Sequence, residues 1–374
     1  MTADLAELRP GRPRARPAGG RGPAAPSPPR RRHVVLALGP WSLRVERRVL
    51  GVGVVLAVLV AVAMAASTLF GDYGLAVRDV LAILGGDESD PRATYFVTEQ
   101  RIPRVLAGAA VGAALALSGA IFQNLSRNPL GSPDIIGFTV GAASGALAQI
   151  ILFDAAPDAV AAGAVVGGLG TAVAVYALSW QRGVAAHRLV LVGVGVGAVL
   201  QALNALLVVK ASLTEAQTAA VWLAGSLNAM TWGPLLRLSA ALAVLVPAAL
   251  ALARPLGSLV LGDDVAAATG VRVERCRLGL VAVGVALVAA AVATAGPLAF
   301  VALAAPQIGR RLTRTPWAGP VVSALVGALV VVLSDLVAQR IFAPTQLPVG
   351  VVTGSLGGAY LIWLLAWQRR NPLL

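Results

Sequence analysis

Residues able to make or break covalent bonds are scarce in this 374-residue sequence. Its histidines are His33 and His187, its cysteine is Cys276 and its lysine is Lys210. One cysteine allows no intrachain disulfide, and no His/Cys set has the spacing of metal ligands, so no metal site is expected. No G-x-x-x-x-G-K-[ST] phosphate loop occurs. The glycines of Gly193-Val-Gly195-Val-Gly197 lie inside an apolar run with no strand before them, which reads as helix packing. Without a nucleophile elbow or a carboxylate pair, an enzyme is the weakest reading. The remaining candidates are positional: Arg101 and Arg104; Gln123, Asn128 and Pro129; Asp263 and Asp264; Pro306 and Gln307; Asp335 and Arg340. Such groups dock partners, interrupt helices or transmit force.

The elements that must hold these residues are membrane spans. Hydrophobic residues make up 57% of the chain and charged residues 13%, against about 25% charged in soluble domains. So few charges cannot cover a water-facing surface, and lipid must be the main solvent. Segments of about 20 apolar residues fall at 49–70, 103–122, 134–152, 156–180, 189–209, 235–253, 278–296, 319–341 and 348–367, with a short one at 300–309. The expected fold is therefore an all-α polytopic membrane protein of about ten transmembrane helices. Glycines four apart, as at Gly141/Gly145 and Gly163/Gly167, let helix backbones approach closely in lipid.

Charge placement gives the orientation. The net charge of +13 is carried almost wholly by arginine. Most of it falls on one side if the N-terminus is cytoplasmic: Arg44, Arg47, Arg48, Arg127, Arg272, Arg275, Arg310, Arg311 and Arg314 among others. Arginine on the cytoplasmic flanks of spans explains the basic excess without nucleic acid. Ten spans then put both termini in the cytoplasm. Arg101, Arg104 and Arg340 stand on the opposite side and need a separate reason. Residues 1–40 are expected to be a disordered, Arg/Pro-rich cytoplasmic tail, because a run such as Arg9 to Pro17 buries no apolar area. The triplet Arg30-Arg31-Arg32 admits a twin-arginine export signal, but further spans follow the first, which favours an uncleaved helix.

Two polar segments break the apolar pattern. Gln123 to Asp134 reads either as a turn, with Asp134 capping the next helix, or as non-helical backbone beside a pathway, and the two are compatible. Gly296-Pro297 and Pro306-Gln307 bracket the short segment at 300–309. The polar stretch from Leu261 to Arg275 reads as two short helices with a sharp turn, in which Asp263 or Asp264 caps and Gly270 terminates. A solvated connector is its plainest role.

Three blocks of residues resemble a known family. The first is Arg101-Ile-Pro-Arg104 with Ser118 to Gln123 and Arg127 to Asp134. The second is Leu261-Gly-Asp-Asp264 with Gly270-Val271. The third is Gly296 to Val301, Ala305 to Arg310 and Leu347 to Gly354. Together they are similar to the iron–siderophore and vitamin B12 permeases of ATP-binding cassette importers, over about residues 50–370. The resemblance implies a transmembrane permease domain over 41–374 and a cytoplasmic coupling loop over 258–277. Within that loop Leu261, Gly262, Asp263, Asp264, Ala267, Gly270 and Val271 would contact the ATPase. It implies that Arg101, Arg104 and Arg340 dock an extracytoplasmic siderophore-binding protein. Gln123, Asn128, Pro129, Pro306 and Gln307 would mark the translocation path. It implies as partners a second permease subunit, an ATPase dimer and a ferric siderophore of catecholate type as substrate, in the inner membrane, with ATP used by the partner and no cofactor bound by this chain. The sequence departs from the family pattern at Gln339, where the family commonly has Arg, and at Gln307, commonly His. An ion-coupled secondary transporter is the alternative; such proteins place ionisable residues inside spans, and Asp335 is the one residue that approaches this.

Overall fold

The computed structural model describes residues 33–38, 41–70, 74–87, 89–181, 186–228, 230–317 and 319–370. Their contacts divide the chain into two units at Arg47/Arg48. In the first, strands β1 (His33–Leu38) and β2 (Trp41–Glu46) pair antiparallel, His33 opposite Glu46 and Leu38 opposite Trp41. Val34 and Val35 in β1 and Trp41 and Val45 in β2 favour extended backbone. Strand β1 lies within residues 1–40, expected to be a disordered tail, and β2 lies just beyond them; the rest of that tail is outside the described residues.

The second unit is helical throughout. In chain order it comprises α1 (Arg47–Leu69), α2 (Val77–Leu84), α3 (Pro91–Tyr95), a π-helical turn at Phe96–Arg101, α4 (Ile102–Ser126), α5 (Phe138–Phe153), α6 (Pro157–Leu178), α7 (Ala186–Lys210), α8 (Leu213–Ala224), α9 (Trp232–Ala251), α10 (Ala253–Leu261), α11 (Asp263–Ala268), α12 (Val273–Ala295), α13 (Val301–Thr313), α14 (Pro320–Arg340) and α15 (Val349–Arg370). The apolar segments of the sequence coincide with α1, α4 to α7, α9 and α12 to α15. Seven helices among the described residues are long and apolar enough to cross a membrane. Phe138–Phe153 and Val349–Trp363 are apolar but shorter, and α13 has 13 residues.

α4 is the axis of the bundle, buried along nearly its whole length against α9, α12, α13 and α14. Small residues permit this. A Cβ on Gly145 of α5 would lie 2.0 Å from the Gly163 carbonyl of α6, so the two backbones touch where the four-residue glycine spacing predicted. The bundle has two ends. Arg127, at the end of α4, lies beside the short α10–α11 connection; we call this the elbow end. Arg104, at the start of α4, marks the far end.

Candidate coupling elbow and helix-break site

At the elbow end, α10 and α11 are separated by Gly262 with φ +126, a backbone conformation that side-chain-bearing residues rarely adopt. Gly270, with φ +84, ends the unit before α12. These are the two short helices and sharp turn read from sequence, but the acids do not cap. Gly262 holds the N-cap position, and Asp263 and Asp264 occupy the first turn of α11. Asp263 instead accepts two hydrogen bonds from the Arg277 guanidinium of α12, at 3.0 and 2.9 Å. Arg277 is 6% exposed and also donates to Glu274 at 3.1 Å. Arg127, a left-handed residue that closes α4, approaches Asp263 at 3.6 Å. One carboxylate therefore ties the elbow to the ends of α4 and α12. Ala266 is fully buried, and its carbonyl accepts from the Val271 amide at 3.0 Å. Leu261 and Val265 point outward, 72% and 45% exposed, and Asp264 and Ala267 are exposed beside them. The elbow is thus pinned, with an apolar and acidic outer face. Val265, Arg127 and Arg277 were absent from the residues expected to contact the ATPase. The legible signal for Arg277 was its place as the last of three charges, after Glu274 and Arg275, before the apolar part of α12.

Beside the elbow, four of the five helix-break residues meet. Pro306 has no amide N–H, so the Ala302 carbonyl of α13 loses its ladder partner. Gln123 of α4 reaches across: its amide nitrogen donates to Leu303 O at 2.9 Å and to Ala302 O at 3.4 Å. Gln307 donates to the Gln123 side-chain oxygen at 3.4 Å and to the Pro129 carbonyl through a short contact. Gln123 and Gln307 are 3% and 6% exposed, so their amides are engaged inside the protein, fastening α13 to α4. Asn128 is exposed and accepts from the Leu130 amide at 2.9 Å. Asp134 does not cap α5 either. Gly137 is at the N-cap, and the Thr139 hydroxyl donates to Asp134 at 2.6 Å. Burial pushes the Asp134 carboxyl up to about 6, against the lowering effect of that hydrogen bond.

At the far end the expected docking arginines are mostly inside. Arg101 is buried and donates to the last carbonyls of α1, Thr68 O at 3.2 Å and Leu69 O at 3.4 Å. Arg104 is buried and forms a two-pronged pair with Asp335 of α14, both bonds 2.8 Å. It donates further to Gln346 and Asn228, each at 2.8 Å, and Gln339 donates to Asp335 at 2.7 Å. Arg101 and Arg104, expected to dock a binding protein, are thus engaged by groups of this same chain. A guanidinium at a span end is stable when carboxylate and amide oxygens occupy its donors, and Asp335 lies 231 residues away in sequence. Arg340 is exposed. Gln339, where the resemblance led one to look for arginine, belongs to the buried network.

The chain is similar to known proteins in sequence and fold. The chain is 49% identical to the ferric enterobactin transport system permease protein of Escherichia coli, over 80% of this chain and 91% of that one. It is 38% identical to the achromobactin transport system permease protein of Dickeya dadantii, over 88% and 95%. A solved structure of a metal-chelate type ABC transporter in an inward-facing conformation superposes with a TM-score of 0.76 at 28% identity, covering 85% of this chain and 99% of that chain. The model of the FecCD transport family matches residues 57–367. The chain therefore belongs to the FecCD transport family, whose members are multi-pass membrane permeases that leave ATP hydrolysis to a separate subunit.

Proposed function

We propose that this chain carries a ferric siderophore of the enterobactin type across the cytoplasmic membrane, driven by an ATPase dimer seated on the α10–α11 elbow. The observation that carries the coupling half is the elbow itself: an exposed face of Leu261, Asp264 and Val265 on a unit fastened through Asp263 to α4 and α12. Force applied there passes directly to the central helix. The substrate half rests on the 49% identity to the enterobactin permease. The elbow end gathers Arg127, Arg254, Arg272, Arg275, Arg310, Arg311 and Arg314, which supports a cytoplasmic elbow and cytoplasmic termini. A second permease subunit completes the path, for which the little-buried apolar α7 supplies a surface. A substrate-binding protein meets the far end, where Arg340 is exposed and Arg104 is buried and held by Asp335. That pairing also disfavours the ion-coupled alternative, since Asp335 is already neutralised inside the protein.

The test replaces the outer face without touching the Asp263–Arg277 pair. Val265→Arg should still insert and fold, but should lose ATPase co-purification and uptake of radioiron-loaded catecholate siderophore at least about tenfold, the equivalent of 1.4 kcal/mol at the contact. Wild-type uptake by that variant would refute the elbow as the engine contact. Uptake sustained by an ion gradient without ATP would favour the alternative.

A further inference from the structure

A second site lies apart from the elbow, between α13, α14 and α15. Phe300, Ala304, Ile308, Leu333, Leu356 and Tyr360 line a slot of about 160 Å³, and no acidic residue lines it. That is below the roughly 300 Å³ at which small-molecule pockets begin, too narrow for a chelate but suited to chain methylenes. In its wall the Tyr360 hydroxyl is buried and has no hydrogen-bond partner among the described residues.

The elbow end of the slot is rimmed by cations. The Arg311 guanidinium lies over the Tyr360 ring at 5.9 Å and the Trp363 ring at 5.1 Å, so Tyr360 serves both slot and rim. Arg310 precedes it, and Arg314 closes α13 with φ 55°. From α1, Arg48 Nε donates to the Leu312 carbonyl at 3.0 Å, which brings a fourth guanidinium to the same helix end. Among the described residues, none of Arg48, Arg310 and Arg314 has a carboxylate partner. The α13 C-terminal dipole offsets part of this charge, but its effect fades within one turn.

An apolar slot among spanning helices, an unsatisfied hydroxyl in its wall and a cationic rim at the membrane surface suit one amphiphile with an anionic head. We propose that this groove binds an anionic phospholipid, its acyl chain in the slot, its phosphate among Arg48, Arg311 and Arg314, and an ester oxygen accepting from Tyr360. Neither the ATPase nor the iron complex enters this proposal, so it stands or falls separately from the transport reading.

The experiment takes the full-length protein from mixed micelles with equal phosphatidylglycerol and phosphatidylcholine and reads retained lipid by native mass spectrometry. Wild type should keep phosphatidylglycerol several-fold over phosphatidylcholine. The double variant Arg311→Gln, Arg314→Gln should lose that preference, and Ala304→Leu, which narrows the slot and leaves the rim intact, should lower retention of both lipids. Equal retention of the two lipids by wild type would overturn the proposal. So would an unchanged preference in the double variant, or wild-type retention by Ala304→Leu, which would reduce the contact to surface charge. Self-crosslinking of Leu356→Cys would put a second copy of the chain in the groove and overturn it as well.

Discussion

A single carboxylate or guanidinium carries several elements in this molecule, and the buried pairs are where substitution acts most strongly. Removing Arg104 leaves Asp335 charged and unpaired at the far end. Arg104→Ala should therefore destabilise by about 3–5 kcal/mol, while the double change Arg104→Met, Asp335→Leu should cost much less. Thermal unfolding in detergent compares the two. This pair was illegible in the sequence: both residues were noticed, but nothing local joins partners 231 positions apart, and Arg104 was read as a surface cation. Asp134 gives a pH test. Its folded value, about 6, lies above the usual 3.8, so its contribution to stability is full below the usual value and is lost as pH rises through 6. Asp134→Asn keeps an acceptor for Thr139 and removes that loss. The variant should melt higher than wild type at about pH 7.5 and show no such advantage at about pH 4.

Helix α13 shows how an element's defect becomes its fastening. Pro306 opens the ladder at Ala302, and Gln123 closes it from α4. The two should be energetically coupled. Gln123→Leu should cost about 1–3 kcal/mol in the native background, by stranding buried acceptors. With Pro306→Ala, which restores an N–H to Ala302, it should cost about 1 kcal/mol less. A double-mutant cycle on thermal stability measures the coupling, and strict additivity would contradict it. Sequence reading found the break, the proline and both glutamines, but not the bonds between them, because it shows which residues are polar and not which way they face. The α5–α6 contact was more legible. Gly145→Leu should prevent the close approach to Gly163, where even a Cβ falls 2.0 Å from the carbonyl, and should abolish folded yield in detergent.

At the scale of the whole chain, the ten apolar segments, the short eighth one and the two-helix elbow were all legible, because hydropathy and helix breakers act locally. The helices α2, α3 and α8 were not, being too short or too polar to register as spans. Strand β1 fell inside a segment whose dominant signal was Arg and Pro, and β2 began just past it. The ties that fasten the elbow, Asp263 to Arg277 and Arg127, are tertiary and had to be seen. The central claim is that an engine in the cytoplasm presses on this elbow. Its most direct measurement uses Leu261→Cys in a Cys276→Ala background with a membrane-impermeant maleimide. Inverted vesicles stripped of ATPase should label, and vesicles with ATPase bound should be protected, while intact spheroplasts should not label. Labelling of Leu261→Cys from outside intact spheroplasts would contradict the account.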